Sequence, residues 1–525
     1  MSHMNTLISC QEVAELMSSA ELYAVFDVRE RGEYNECQIA GTTSLPRSQI
    51  EFRISQLVPN PTVPIVVYDE GDTRASLAAK TLAQLGYAQV SILDGGLTAW
   101  RKDGRATVSG VNVPSKAFGE RVHRERSIPD ILPEELKALQ ARSANLIILD
   151  VRTPEEYGRF CIPHGINVPG GDLILWADEL KQKPDTTVVV NCAGRTRSIV
   201  GTATLRRLGL TNVRALKNGT MGWVLAGMEL ERNPARTTPS SPLHSHAQAK
   251  SLARQLASEE NIPWISPRQV SSALARIHDG VTYLIDVRSE REYESGHVPG
   301  SLNVPGGQAV QRADDFVAVR NAQIIFISNE SARAVMTAYW YRQMGFPNVS
   351  VLEGGLRAWS KRGENVAKGA IRNEPLGFEA AKRAARYVDA QTLHRGLNDS
   401  SALIIDVGVS LEFESAHVLG AKWISRGWID IKLREFFTDQ NRPIVLSCPD
   451  GRQSTLAARS LTEIGYTNVS VLGGGVRAWS AAGLPLETGR DACLVEPNDV
   501  VLSPSVRGNK EDMQRYLEWE LKLER

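Results

Sequence analysis

The segment Leu149–Tyr157 reads LDVRTPEEY, and three other segments of the chain repeat its pattern. They are Phe26–Tyr34 (FDVRERGEY), Ile285–Tyr293 (IDVRSEREY) and Ile405–Phe413 (IDVGVSLEF). A tryptophan closes each copy at the same distance from its aspartate, and the four are Trp100, Trp223, Trp359 and Trp479. A unit of fixed length that occurs four times indicates a repeated domain, and each tryptophan is expected in a core.

Composition agrees with several folded domains. The chain has 525 residues, 42% of them hydrophobic, with 60 Lys+Arg and 60 Asp+Glu. At ~150 residues per domain this length predicts three to four domains. Zero net charge argues against nucleic acid as the main partner, and no apolar run reaches the ~20 residues that span a bilayer. The N-terminal NTLISCQEVAELM lacks the basic and apolar regions of a signal peptide, so we expect a cytoplasmic location.

The repeats and the segments between them predict the domain bounds. The Pro/Ser-rich stretch Thr237–Ser245, followed by a helix-like run, reads as a linker that joins two consecutive pairs of domains. The final segment carries a helical stripe at 513, 516, 517 and 521, which we expect to dock on a neighbouring domain or a second subunit. The expected bounds are domains at 5–109, 127–232, 263–366 and 385–488, a linker at 233–262, and a tail with a helix at 489–525.

Within each repeat, short apolar strands alternate with helices. This alternation predicts an α/β fold with a central parallel sheet that helices cover on both faces. In such sheets, binding sites form where strands end and helix N-termini point. The corresponding loops begin at Asp69, Cys192, Ser328 and Cys448 and read DEGDTRA, CAGRTRS, SNESARA and CPDGRQS.

A cysteine at such a loop has a chemical use. Loop N–H groups and the positive end of the following helix stabilise a thiolate, which makes it a nucleophile. Arg195 and Arg197 can bind an anionic substrate, and Ser198 can donate a hydrogen bond to the sulfur or cap the helix.

These motifs together resemble the rhodanese (sulfurtransferase) family. The resemblance rests on DVRxxxEY, the GHVPGS stretch at Gly296–Ser301, the loop Cys192–Ser198 and the GG-x3-W ending, and it covers nearly the whole chain as four tandem domains. It implies that a cysteine takes sulfane sulfur from a donor, holds it as a persulfide and passes it to cyanide or a thiol. It implies no metal and no organic cofactor.

Carried over by position, the resemblance assigns two active and two silent repeats. Asp69 and Ser328 stand where the others have cysteine, so an inactive domain precedes an active one twice. The fourth loop departs from the pattern, since Gln453 replaces the later arginine and Asp450 adds a carboxylate, and Cys192 therefore has the better-supported loop. The implied catalytic residues are Cys192 and Cys448, and the implied substrate-binding residues are Arg195, Arg197, Ser198, Arg452 and Ser454.

The length and charge of the Cys192 loop favour one reaction and one class of donor over the alternatives. Four residues separate Cys192 from Arg197, one fewer than in the phosphatase and arsenate reductase loops that this fold resembles, which favours sulfur transfer. The two loop arginines favour an inorganic anionic donor such as thiosulfate over mercaptopyruvate. The acceptor is a small thiol, cyanide or an acceptor protein. Two alternatives stay open: a persulfide carrier or scaffold whose silent domains bind partners, and a phosphatase or arsenate reductase.

Two further expectations concern the repeated motif. The four aspartates recur in silent and active repeats, so we expect them to cap the next turn rather than to act in catalysis. In the DVRxxxEY copies, the arginine and the glutamate four residues later are expected to form a helical-turn ion pair. The expected pairs are Arg29 with Glu33, Arg152 with Glu156, and Arg288 with Glu292.

Overall fold

Four similar α/β units follow one another along the chain, and we call them repeats one to four. The computed structural model describes residues 6–275, 280–370, 374–396 and 402–523. Among these residues, no helix has both the length and the apolar character needed to cross a bilayer.

Each repeat contains a five-stranded, all-parallel sheet, as the alternation predicts. The strands of repeat one, in spatial order, are Thr6–Ile8, Val90–Leu93, Ile65–Tyr68, Ala24–Asp27 and Thr43–Ser44. Those of repeat two are Ile166–Asn167, Leu146–Asp150, Thr187–Asn191, Val213–Leu216 and Asp130–Ile131. Those of repeat three are Trp264–Ile265, Val349–Leu352, Gln323–Ile327, Thr282–Asp286 and Leu302–Asn303. Those of repeat four are Tyr387–Val388, Val469–Leu472, Ile444–Ser447, Leu403–Asp406 and Lys422–Trp423.

Helices cover both faces of each sheet. In repeats one and two they are Cys10–Ser18, Arg31–Glu36, Ile50–Leu57, Arg74–Gln84 and Gly96–Lys102, then Pro133–Ala141, Pro154–Arg159, Leu173–Lys181, Thr196–Arg207 and Gly219–Leu225. In repeats three and four they are Pro267–Ala275, Glu290–Ser295, Gly306–Gln311, Ala313–Phe316, Ala332–Gln343 and Gly355–Lys361, then Ala390–Gly396, Ser410–Ser415, Arg426–Phe436, Arg452–Glu463 and Gly475–Ala481. Helices outside the repeats are Val113–Glu125, Ser245–Glu259, Phe378–Ala384, Pro504–Arg507 and Lys510–Glu520.

The tryptophan that closes each repeat lies in the core, as expected. Trp223 and Trp479 are fully buried, and Trp100 and Trp359 nearly so. Each indole N–H donates to a backbone carbonyl six residues later, at 2.7 to 3.1 Å. The side chain therefore fills the core and also fixes the turn after its helix.

The pairing of repeats differs from the expected consecutive pairs. The chain divides into lobe I, residues 1–111 and 372–501, and lobe II, residues 112–371 and 502–525. Repeat one thus pairs with repeat four, and repeat two with repeat three. The predicted linker does not separate two pairs, because its helix Ser245–Glu259 packs on helices of both repeats of lobe II. It does so through a small-residue face, which buries Ala249, Ala253 and Ala257.

The predicted C-terminal helix forms at Lys510–Glu520 and docks on repeat two. Its buried stripe differs in one place from the expected one. Leu521 is exposed, and Glu520 is buried in its stead. The helix ends at Glu520, so the chain turns away before Leu521 can continue the apolar face.

Candidate active site

The four strand-end loops lie where the sequence places them. Each begins directly after a central strand of its sheet, and each leads into a helix of at least eleven residues. The helix N-terminus therefore adds its partial positive charge to the loop in all four repeats. The residue at the first loop position decides what that charge can stabilise.

The loop of Cys448 forms an anion cradle around the sulfur. The backbone N–H groups of Gly451 and Ser454 donate to Cys448 Sγ at 3.2 and 3.4 Å, and Ser454 Oγ lies 3.4 Å away. Gly451 adopts a left-handed conformation with φ of 89°, which turns its N–H toward the sulfur. These donors favour a thiolate or a persulfide anion over the neutral form.

Charges around Cys448 act in the opposite direction. Burial raises the pKa of the Cys448 thiol, the Ser454 hydrogen bonds lower it, and the carboxylates of Asp406 and Asp450 raise it. The Arg452 guanidinium is bonded to Asp450 at 2.7 Å and does not bond the sulfur. Gln453 donates to the backbone carbonyl of Ser48 in repeat one, so it contributes to the repeat interface.

The loop of Cys192 has a different shape. Its side chain is 2% exposed, and its Sγ lies 3.5 Å from Ser198 Oγ. Arg195, at the position of Gly451, has φ of −117° instead of a left-handed conformation. Burial raises the pKa of the Cys192 thiol, while Arg197 and Ser198 lower it. The sulfur is thus close to helix and cation, but it is held less fully by backbone N–H groups than Cys448.

The arginines of this loop are bonded to carboxylates. Arg195 forms a buried pair with Glu120 at 2.6 Å, and Arg197 pairs with Glu156 at 2.6 Å. Although burial alone would raise the pKa of Glu156, the Arg197 guanidinium lowers it to about 2. Arg197 therefore acts on Cys192 through its charge, and a direct role of either arginine in binding substrate stays a prediction.

The expected ion pairs within the DVRxxxEY motif are wrong. Each arginine returns to the aspartate two residues before it, at 2.6 to 2.7 Å: Arg29 to Asp27, Arg152 to Asp150, and Arg288 to Asp286. Each glutamate instead pairs with the later arginine of the strand-end loop: Glu33 with Arg74, Glu156 with Arg197, and Glu292 with Arg333. The buried aspartate at the strand end is the stronger partner, because bidentate bonding satisfies both groups away from water. The capping role expected for these aspartates is confirmed, since each also accepts the N–H two residues on.

In the two loops without cysteine, the first side chain accepts the backbone N–H groups itself. The Asp69 carboxylate accepts three backbone N–H groups, from Gly71, Asp72 and Ala75, at 2.7 to 3.2 Å. Ser328 Oγ accepts the N–H of Ala334 at 3.3 Å. An oxygen thus takes the place that sulfur takes in repeat four, and neither oxygen can carry a persulfide.

Two carboxylates near Cys192 were not anticipated from sequence. Glu120 lies on the helix Val113–Glu125 between repeats, and Glu520 lies on the C-terminal helix. Neither belongs to a repeated motif, so motif analysis cannot find them. The one available signal was the tail's helical stripe, which indicated docking but not its target.

Comparison with known proteins identifies relatives over most of the chain. A family model described as a Rhodanese-like domain matches residues 9–103, 132–226, 269–362 and 389–482. The crystal structure of thiosulfate sulfurtransferase from Pseudomonas aeruginosa is 36% identical, covers 99% of this chain and 97% of its own, and superposes with a TM-score of 0.91.

Curated relatives match shorter parts of the chain. A putative thiosulfate sulfurtransferase of Mycobacterium tuberculosis is 34% identical over 122 residues, which are 21% of this chain and 42% of that protein. The 3-mercaptopyruvate sulfurtransferase of Escherichia coli K12 is 24% identical over 242 residues, 38% of this chain and 85% of that protein. The match to the first of these therefore spans less than half of that relative's length.

Proposed function

The chain belongs to the rhodanese-like family, and from that premise we propose that it is a sulfurtransferase that moves sulfane sulfur from a small anionic donor, such as thiosulfate, to a thiol or cyanide. Cys448 and Cys192 are the proposed sulfur carriers. Ser454 and Ser198 support the sulfur, and Arg452, Arg195 and Arg197 supply positive charge for the donor. A cytoplasmic location remains a prediction of the sequence.

The proposed reaction has two displacement steps. The cysteine thiolate attacks the sulfane sulfur of thiosulfate, a new S–S bond forms, and sulfite leaves with the electron pair of the broken S–S bond. Cyanide or an acceptor thiolate then attacks the outer sulfur of the persulfide and takes it, and the cysteine thiolate returns. No net oxidation occurs, because sulfite carries away the electrons of the first bond.

One observation carries this proposal: the cradle of N–H groups around Cys448 Sγ. A persulfide anion formed there keeps both backbone hydrogen bonds and the positive end of the helix Arg452–Glu463. This geometry favours Cys448 over Cys192 as the sulfur carrier, which reverses the ranking that the loop sequences suggest.

Thiosulfate labelling with peptide mapping tests the assignment. We expect intact-mass analysis to reveal one added sulfur on wild-type protein, located on the peptide that contains Cys448. Cys448→Ser should abolish that gain and at least about 90% of thiosulfate:cyanide turnover, because the nucleophile is lost. Cys10→Ser, outside the loops, is the matched control and should behave as wild type. Full turnover by Cys448→Ser would refute Cys448 as the principal carrier.

A second candidate function is supported by the silent loops. Because Asp69 and Ser328 leave repeats one and three without a thiol, these repeats fit a binding role in a persulfide carrier. Such a carrier would trap sulfur on Cys448 but release it only to a partner protein. Rapid turnover with cyanide or a small thiol alone excludes the carrier function.

A further inference from the structure

The C-terminal helix Lys510–Glu520 covers the loop of Cys192. Its residues Met513 and Leu517 form an apolar cluster with Met221, which lies on the helix Gly219–Leu225 of repeat two. Beside this cluster, Lys116 Nζ lies 4.8 Å from the ring centre of Tyr516 and 4.7 Å from that of Trp519. Apolar and cation–π contacts together hold the helix in place.

Glu520, the last residue of this helix, inserts its carboxyl group at the loop itself. The residue is 1% exposed, and its Oε1 accepts a hydrogen bond from Thr196 Oγ1 at 2.9 Å. Its Oε2 is buried and has no hydrogen-bond partner among the described residues. A Cβ on Gly194 would lie 3.0 Å from Met221 Cε, 3.3 Å from Glu520 Oε2 and 3.6 Å from Tyr516 Cε1, so a side chain at this position would crowd Met221 and the docked helix.

When ionised, the Glu520 carboxyl group brings negative charge to the place where an anionic donor must arrive. Burial raises the pKa of Glu520, and the nearby Lys116 lowers it. Glu520 in turn raises the pKa of the Cys192 thiol. A charge that disfavours a thiolate also disfavours an approaching thiosulfate dianion.

Building on the sulfurtransferase proposed above, we propose that Glu520 and its helix determine donor access: they close Cys192 to anionic sulfur donors, so that donor sulfur enters at Cys448. Cys192 accepts sulfur from such a donor only when the segment from residue 510 onward is displaced. The helix Lys510–Glu520 and Cys192 both belong to lobe II, whereas Cys448 belongs to lobe I. Both thiols are buried, with Cys192 2% and Cys448 0% exposed, and they differ in loop shape and in the helix that packs beside the loop of Cys192.

Alkylation rates measure access without requiring sulfur transfer. The protein is treated with neutral iodoacetamide or anionic iodoacetate, and labelling of Cys192 and Cys448 is followed by peptide mapping. We expect Cys192 in the wild-type protein to react at least about tenfold more slowly than Cys192 in a variant that lacks residues 510–525, because the covered thiol reacts only through local opening. The rate at Cys448 should be the same in both proteins and reports that the rest of the chain is intact.

Two point variants separate charge from cover. Glu520→Gln keeps an acceptor for Thr196 and leaves the helix docked, so the ratio of iodoacetate to iodoacetamide rates at Cys192 should rise by about threefold to tenfold. Glu518→Gln, on the exposed side of the same helix, is the matched control and should leave that ratio unchanged. If the deletion protein does not fold, the double variant Met513→Ala/Leu517→Ala loosens the helix and should accelerate both reagents.

Thiosulfate labelling of the same proteins completes the test. We expect sulfur on Cys448 alone in wild type and on both cysteines after the deletion. Equal alkylation of Cys192 with and without a docked helix would overturn the proposal. If the deletion accelerates alkylation of Cys192 but neither cysteine gains sulfur, the result would support the proposed covering of Cys192 by the helix and would refute the sulfurtransferase function.

Discussion

Asp406 is a buried carboxylate whose usual arginine partner is missing. In repeats one to three the equivalent aspartate bonds an arginine two residues on, whereas repeat four has Gly408 there. Asp406 accepts hydrogen bonds from the Gly408 N–H and from Ser447 Oγ, both at 2.8 Å. Burial nevertheless raises the pKa of Asp406 to about 6. At neutral pH this repeat thus holds a buried negative charge close to its cysteine.

The variant Asp406→Asn should make Cys448 more reactive. An amide can still accept the Gly408 N–H and can donate to Ser447, but it carries no charge, so the pKa of the Cys448 thiol should fall. The pH dependence of iodoacetamide alkylation at Cys448 measures this shift. Asp491→Asn, on an exposed segment, is the control and should not move the profile. An unchanged profile in Asp406→Asn would contradict the role assigned to this charge.

The same substitution should change how stability depends on pH. Because the folded-state pKa of Asp406 lies above its ordinary 3.8, the folded protein is favoured while the group is protonated, and that contribution is lost as pH rises toward about 6. As pH rises from about 3.8 to about 6, we therefore expect the free energy of unfolding to fall less in Asp406→Asn than in wild type. Urea unfolding across this pH range measures it, and parallel curves for the two proteins would refute the assignment.

At the scale of the element, one backbone conformation separates the two cysteine loops. Gly451 has φ of 89°, and Ser331 in repeat three has φ of 70°, so both loops turn through the left-handed region three residues after the first loop residue. Arg195 occupies the same position in repeat two with φ of −117°. The strand and helix are alike in these repeats, and the loop between them decides how many N–H groups reach the first side chain.

Gly451→Ala should damage the cradle specifically. A side chain in the left-handed region costs about 1–2 kcal/mol, and the loop can avoid that cost by turning its N–H away from Cys448. We expect sulfur uptake at Cys448 to fall at least about tenfold. Gly465→Ala is a matched control, because Gly465 also has a positive φ, of 101°, but lies at the far end of the same helix. It should lower the unfolding midpoint similarly without reducing sulfur uptake; equal uptake by both variants would refute the cradle.

On the scale of the whole molecule, partners in each lobe are far apart in sequence. In lobe I, Arg426 bonds Glu51 and the backbone carbonyl of Ser48, at 2.5 to 3.0 Å. In lobe II, Trp340 donates to Thr204 Oγ1 at 3.0 Å, and Arg333 pairs with Asp172 at 3.0 Å. These side chains are largely buried, so the polar contacts between paired repeats are shielded from water, which strengthens them.

This arrangement predicts that two halves of the chain will associate. A break between Pro239 and Ser240 places repeats one and two in one half and their partners four and three in the other. Co-expressed halves with a single affinity tag should therefore co-purify in equal amounts. Arg426→Ala in the second half should weaken capture at least about tenfold, because it leaves Glu51 without its partner. Two halves that fold but elute separately would contradict the pairing.

Local pattern and repetition along the chain are enough to predict the structure of one repeat. Four copies of one motif gave four α/β repeats, and apolar strands between helices predicted parallel sheets. Counting from each aspartate located the loops of Cys192 and Cys448 at the strand ends. The closing tryptophans were expected in the core and lie there. Each inference concerns residues within one repeat, where chain connectivity leaves few alternative arrangements.

Contacts between groups that are far apart in sequence become visible only in the folded chain. Repeat one pairs with repeat four, Glu156 bonds Arg197 instead of Arg152, and Glu520 reaches the loop of Cys192. Such contacts depend on complementary surfaces and on competition between several possible charged partners. Local periodicity contains no information on that competition, because every candidate arginine or glutamate looks alike until its distance and burial are known.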